Sequence, residues 1–512
     1  MSISDNTPIL VGVGEVSERI EAPDYAERSP VELAAAAAQV ALEDALSVAK
    51  LAPEIDVIAS IRQFEISHGA SVAPFGHSNN FPRSIAKRIG ANPARAVLEI
   101  SGGQGPQHLI NEFSQEIAKG KIGMALIVGS EAISTMRHVL GQKETRDWSE
   151  TVSGTLEDRG YGVEGLLTPD LIQHGARTPI QMYALFENAR RARLGLDRAS
   201  YALEMGRLFA PFTKVAAQNP HAMSQQVFTA EELATVTPKN RLVADPFPRR
   251  MVARDQANQG AAVLFTSVGK ARALGIPEEK WVYLHGGADA KERIVMERQD
   301  LSKSKASVRT IERALEVANL ALSDIDVIDL YSCFPIAVFN ITDAFGLKAD
   351  DPRGLTVTGG LPFFGGAGNN YSMHAIATMV QRLRSAHGKF GLVAANGGFL
   401  SKYSVGVYST RPAAWKGFDS KVLQAEVDGW AAPSIDPHPT GRATVETYTV
   451  DYSGPEPRGL LIGRTAADAR FVALADDPAV VQTLIGEDPT GATIDVIQNE
   501  KGRAVVTGVT PR

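Results

Sequence analysis

The feature that most constrains this chain is that it says the same thing twice. Ala41-Leu-Glu is followed by Ile55-Asp-Val-Ile, and Ala314-Leu-Glu by Ile325-Asp-Val-Ile. An apolar run then leads into a glycine turn in each half. The turns are Ser101-Gly-Gly-Gln-Gly-Pro106 and Phe364-Gly-Gly-Ala-Gly-Asn-Asn370. Helix-patterned segments leave both turns, and the strand-like runs Met124–Gly129 and Gly391–Ala395 come after them. Ordered matches at nearly one offset mark an internal duplication. The repeated unit alternates strands with helices, which predicts a mostly parallel, buried sheet in each half. Glycines at the turns allow positive φ and close approach, and a helix start offers unpaired N–H groups. Two such units place a site at the join of the halves.

Three further stretches set the organisation. Ser29-Pro30 reads as an N-cap and first turn of a helix running to about Leu51. Residues 130–240 hold few strand-like runs and several helical ones, among them Pro179–Arg193 and Arg198–Ala210, and read as a helical insertion. After Thr410 come short alternating runs such as Arg442–Tyr452, separated by Gly, Pro and Asp, which predict a small β-rich, barrel-like domain. The expected division is 1–129 with 241–279 as the N-terminal half, 130–240 as the insertion, 280–411 as the C-terminal half and 412–512 as the β-rich domain.

Composition limits the function classes. A net charge of −6 with no long basic block argues against nucleic acid or an anionic membrane as the main partner. Cys333 is the only cysteine, which excludes an intramolecular disulfide and fits a reducing, cytoplasmic setting. No apolar run reaches the ~20 residues of a bilayer span. No metal-ligand spacing, phosphate-binding Gly-x-x-x-x-Gly-Lys loop or complete dinucleotide fingerprint is present, so neither metal nor cofactor is expected.

Two α/β repeats, a helical insertion in the first and a glycine turn before a central helix in each resemble the thiolase superfamily over roughly residues 8–410. The resemblance rests on Ile117-Ala-Lys-Gly120, Ile325–Phe334, Asp255–Leu264 and Ala395-Asn-Gly-Gly398. With its β-rich tail, the chain is most similar to the type-1 thiolase-like proteins, of acetyl-CoA acetyltransferase type. The resemblance implies a coenzyme A thioester as substrate or ligand, and a homodimer by family default, with a monomer as the alternative because of the added domain.

It also implies four catalytic positions, and the chain departs at each. Gly103 stands where the family places its nucleophilic Cys, Gly366 where it places the oxyanion His, and Ala395 where it places a second Cys. Tyr331, in Tyr331-Ser-Cys-Phe334, replaces an Asn or His. Without an acyl carrier the covalent step is lost. The remaining candidates are Tyr331 as acid or oxyanion donor, His374 as base and Asn396 as donor to a thioester oxygen. Each has a plainer reading: a buried aromatic, a packing contact and a turn residue. Asn369 and Asn370 are expected to cap the second central helix. Arg190, Arg191 and Arg193 are candidates for coenzyme A phosphates, the plainer reading being a solvated helix face. Two alternatives to non-covalent C–C chemistry beside a thioester stay open: a non-catalytic coenzyme A-binding scaffold, and retro-aldol cleavage of a β-hydroxyacyl-CoA.

Overall fold

A computed structural model describes residues 3–510. In the first half, β1 (Pro8–Ser17), β2 (Val57–Ile61), β3 (Arg95–Glu99), β4 (Met124–Ala132) and β5 (Asn258–Ser267) lie in the order β1-β5-β4-β2-β3. In the second half, β6 (Val282–Lys291), β7 (Val327–Leu330), β8 (Phe390–Gly397) and β9 (Lys402–Ser409) lie in the order β6-β9-β8-β7. The sense of pairing repeats as well. β1/β5, β5/β4, β6/β9 and β9/β8 are antiparallel, while β4/β2 and β8/β7 are parallel. A short antiparallel contact, Ile9 with Tyr283 and Leu10 with Val282, joins the two sheets.

The expectation of mostly parallel sheets is therefore corrected to mixed ones. β9 follows β8 after residues 398–401 alone, far short of the dozen or so residues a parallel crossover needs.

The repeated words have a structural counterpart. The helix Pro30–Ala45 packs on β1, and the helix Lys305–Ala318 packs on β6. A Cβ on Gly12 would fall 2.1 Å from the Ala41 carbonyl oxygen, and one on Gly286 would fall 2.2 Å from that of Ala314. Each glycine follows an irregularity in pairing, at Val11 in β1 and at His285 in β6. The helix starts at Pro30 as expected, with a Ser29–Glu32 capping box, but ends at Ala45 rather than running on to Leu51, and a separate short helix spans Val48–Leu51.

Two central helices, Gly105–Ala118 and Tyr371–Ser385, lie between the sheets. Their side chains Ile110, Phe113, Ile376 and Met379 share one buried core with Ala59 and Ile127 of the first sheet and Val282 and Val393 of the second. The outer edge strand β3 is covered in turn by a two-residue strand, Glu157–Asp158.

The C-terminal strands β10 (Gly441–Asp451), β11 (Arg458–Thr465), β12 (Arg470–Ala475), β13 (Thr493–Gln498) and β14 (Ala504–Thr510) close into a five-stranded barrel, in the order β10-β11-β12-β14-β13 and back to β10. A helix, Pro478–Gly486, connects β12 to β13. The barrel is pinned to the rest of the chain by buried polar contacts. Arg470, fully buried, pairs with both Glu446 oxygens and donates to the carbonyls of Met296 and Arg298. Thr447 Oγ1 donates to Leu185 O, and Asn188 Nδ2 to Tyr448 O. No helix among the described residues is long and apolar enough to cross a membrane.

The twin glycine contacts make a test of the duplication. Gly12→Val and Gly286→Val each force strand and helix apart, so each should cost about 2 kcal/mol or more. Thermal denaturation should show a lowered Tm for both variants, whereas Gly486→Ala, at a position with open space, should leave it near wild type.

Candidate functional site

The site is built where the two central helices begin. Gly102 and Gly365 both take positive φ, 141° and 122°, which lets each turn fold back against the sheets. The turns are stitched across the halves. Ser372 Oγ, in the first turn of the second central helix, donates to Gly103 O. Asn370 Nδ2 donates to Gly129 O at 2.8 Å, and Asn369 Nδ2 donates to Arg62 O and Ser67 Oγ. The asparagines thus do not cap the helix as expected. Asn370 occupies the N-cap position without a side-chain capping bond: its Nδ2 is anchored on Gly129 O, and its Oδ1, the atom that would accept a capping N–H, has no partner among the described residues.

Tyr331 leaves the end of β7, with its N–H donating to Ala394 O. Its ring lies directly in front of Gly103: a Cβ there would sit 2.2 Å from Tyr331 Oη and 2.5 Å from the ring. Tyr371 packs edge-on against the same ring at 5.3 Å. The phenol is 8% exposed. Burial holds its pKa well above the usual tyrosine value, with the nearby Cys333 and Tyr371 adding to the effect. Tyr331 is therefore a neutral O–H at neutral pH. It occupies the volume that a side chain at position 103 would need.

Beside it, Asn396 Nδ2 donates to Tyr183 Oη at 3.0 Å and lies 3.9 Å from Cys333 Sγ. The Asn396 Oδ1 is buried with no partner among the described residues. Tyr183 stacks on Phe334 at 4.3 Å and donates to Gly398 O. Burial pushes the Cys333 thiol up to about 12. Tyr331, Cys333, Asn396 and Tyr183 form one group at the ends of β7 and β8, flanked by Ala395.

His374 faces another way. It is fully buried, with Nδ1 2.8 Å from Glu15 Oε1 on β1 and its ring against Phe364. Its Nε2 has no partner among the described residues. A Cβ on Gly366 would meet Arg254 O at 3.2 Å, so that position is tight but not filled by a side chain as position 103 is.

The three arginines divide. Arg190 pairs with Asp343 and Glu204 and packs on the Phe339 ring. Arg191 is buried against Asp488, Asn188 and Tyr448 Oη, where it helps seat the barrel. Arg193 is exposed and pairs with Asp343. The guanidiniums of Arg190 and Arg191 are thus engaged by the protein's own carboxylates.

Several neighbours of the turns escape a reading of the sequence. Lys402 is buried, with Nζ donating to Ser101 O at 2.7 Å and Gly162 O at 2.6 Å, and burial lowers its pKa to about 8. Gln104 reaches between Gly102 and Gly397. Glu131, at the second turn, accepts the Phe64 N–H. Burial holds its carboxyl well above the carboxylate range, and Glu65 adds to this. The usable signal for Lys402 is a lone cation in an otherwise strand-like run. Gln104 and Glu131 carry none.

Comparison with known proteins places this geometry. Residues 422–501 match the family described as the thiolase-like protein type 1 additional C-terminal domain. The acetyl-CoA acetyltransferase of Methanothermobacter thermautotrophicus is 29% identical over 122 residues, a stretch covering 24% of this chain and 30% of that relative. An Ltp2–ChsH2(DUF35) aldolase structure shares the fold, with a TM-score of 0.58 at 18% identity over 79% of this chain and 98% of that one. The crystal structure of a monomeric SCP2-thiolase-like protein type 1 from Mycobacterium smegmatis superposes with a TM-score of 0.86 at 46% identity, covering 99% of this chain and 100% of that one. Since fold, added barrel and sequence all agree from end to end, the chain belongs to the SCP2-thiolase-like protein type 1 family.

Proposed function

We propose that the protein binds an acyl-CoA thioester at the join of its two halves and forms no acyl-enzyme. The observation that carries this reading is the Tyr331 hydroxyl, which fills the space in front of Gly103 at the start of the first central helix. A thioester carbonyl brought to this point meets a neutral phenol O–H in a dry setting. Such a donor stabilises an enolate or alkoxide oxygen. C–C bond making or breaking beside the thioester then proceeds without covalent capture. Asn396, in the same group, is the second donor to the thioester oxygen. His374, held by Glu15, is a base only for a substrate that reaches its Nε2. Retro-aldol cleavage of a β-hydroxyacyl-CoA uses the same phenol and is the second catalytic alternative. The tight packing around Tyr331 favours a third reading, a coenzyme A-binding scaffold without turnover. Arg193 alone of the three arginines is exposed, and it is the one retained for coenzyme A phosphates. A cytoplasmic setting belongs to this reading.

One assay separates these readings. With acetoacetyl-CoA and a β-hydroxyacyl-CoA, free coenzyme A and carbonyl products are followed and the intact protein is weighed by mass spectrometry. The expected result is turnover of one substrate with no acyl adduct. Tyr331→Phe should lower kcat about 100-fold, the cost of losing one oxyanion donor. Binding without turnover would favour the scaffold, and an acyl adduct or no binding at all would overturn the proposal.

The raised pKa keeps the Cys333 thiol protonated throughout the neutral range, so it is no substitute nucleophile. Native protein should not react with Ellman's reagent at pH 8, and one equivalent should react once guanidinium unfolds the chain.

A monomer is the assembly that the edge of the first sheet supports. Glu157–Asp158 pairs with β3, and Arg159 locks the cover in place by bridging Glu99, Glu112 and Glu157. A short, charged cover over Val97 and Leu98 interrupts the ladder that a second copy would need. Sedimentation should give a mass near one 54.7 kDa chain.

A further inference from the structure

A concave region lies away from the glycine turns. It is a cleft of about 580 Å³ between the end of β6, the helix Pro335–Phe345, Arg193 of the helix Pro179–Leu194 and the segment that leads into the barrel. Its volume suits a small molecule. Two features of its lining call for a ligand. The Asn340 side chain is 6% exposed, and neither its amide oxygen nor its amide nitrogen has a partner among the described residues. Arg293 Nε is also buried and unpartnered, although the same guanidinium donates to Asp428 O and Trp430 O. Buried polar atoms left unpaired carry an unrecovered desolvation cost, so a partner that bonds them binds favourably.

Charge points the same way. Five cations line the cleft, Arg193, Arg293, Arg298, Lys303 and Lys305, against three carboxylates. Each carboxylate already has partners: Asp343 has Arg190 and Arg193, Glu292 has the Arg293 and Ala306 N–H groups, and Asp300 has Ser302. Lys303 is exposed, with only a 3.9 Å approach to Asp300. Lys305 is held at the rim by the Trp430 ring, with Nζ 4.2 Å from its centroid, and makes no salt bridge among the described residues. These two ammonium groups are available to an anion. Val308, Ala344 and Ala431 supply an apolar wall beside Asn340.

An anion at the rim and a flat group with a donor and an acceptor side by side at the amide describe one class of molecule. The Asn amide pairs bidentately with an adenine edge, and ammonium groups hold phosphate. We infer that this cleft is a binding site for a purine nucleoside phosphate, with Asn340 reading the base and Lys303 and Lys305 holding the phosphates. The inference does not rest on the thioester reading. The nucleotide is either free or the adenosine phosphate end of coenzyme A.

Isothermal titration calorimetry on the full chain tests it with ADP, pyrophosphate and coenzyme A. ADP should bind at one site. Asn340→Leu should weaken ADP about tenfold while sparing pyrophosphate, because it removes only the paired amide. The double variant Lys303→Glu, Lys305→Glu should weaken both and reduce the dependence on salt. Both lysines are exposed and the amide is unbonded, so the variants should keep the wild-type Tm, which circular dichroism checks. Tyr331→Phe should bind ADP as wild type does, which separates failure here from failure of the thioester chemistry. Competition by coenzyme A assigns its nucleotide end as the source, and ADP binding indifferent to coenzyme A assigns a free nucleotide. No ADP binding to folded protein, pyrophosphate binding as tight as ADP, or ADP binding unchanged in both cleft variants would overturn the inference.

Discussion

Two helices covered on both sides by sheet set the terms for everything else in this molecule. The helices Gly105–Ala118 and Tyr371–Ser385 have almost no solvent face, so they bury apolar side chains toward both sheets. Each fully buried Leu, Ile, Phe or Met contributes roughly 1.5–3 kcal/mol by transfer from water, an upper estimate for a real unfolded chain. The constraint falls on the helix starts. A chain that enters between two sheets must turn sharply in a crowded place, and Gly102 and Gly365 at positive φ make that entry. Much of what else stands at these turns reaches in from the opposite half. Ser372 and Asn370 bond to backbone of the first half, and Tyr331 reaches Gly103. The site is thus a product of the interface between repeats, and neither repeat alone contains it.

What was legible in the sequence follows from that division. The duplication was readable because Ala41 and Ala314 sit where each outer helix touches a strand glycine, a contact that needs the same small residue twice. The central helices, the outer strands and the closed barrel were readable from periodicity. Other elements were not. β6 carries His285, Gly286, Gly287 and Asp289, which break an apolar run, and β9 opens on Lys402. The helix Pro335–Phe345 is buried nearly all round and rich in β-branched and aromatic residues, so no polar face marks its period. Partners distant in the chain were invisible for a different reason. Arg190 meets Asp343 at a separation of 153 residues and Arg191 meets Asp488 at 297, so nothing local distinguishes them from arginines that face a ligand. The same holds for Asn370, whose local pattern says cap and whose tertiary partner is Gly129 O.

The barrel belongs to the body of the protein by the chemistry of its seam. Glu446, Tyr448 and Arg470 are neither surface charges nor barrel core. They meet Arg191, Arg198, Asp245 and the carbonyls at 296 and 298 in a buried polar layer. Paired charges in such a layer add specificity of docking more than net stability, and removing one partner leaves the other uncompensated. That makes the relative placement of barrel and core a matter of geometry, fixed by bonds that tolerate little sliding.

The contact between Tyr331 and Gly103 also has an evolutionary consequence. A side chain at position 103 and a tyrosine at position 331 exclude one another, since the Cβ and the hydroxyl would lie 2.2 Å apart. The two positions are therefore not free to drift separately. A lineage can gain a nucleophile at 103 only after shrinking residue 331, and that intermediate carries a cavity in a packed core. The pair acts as a ratchet: two changes are needed to leave this arrangement, and the first of them is penalised alone.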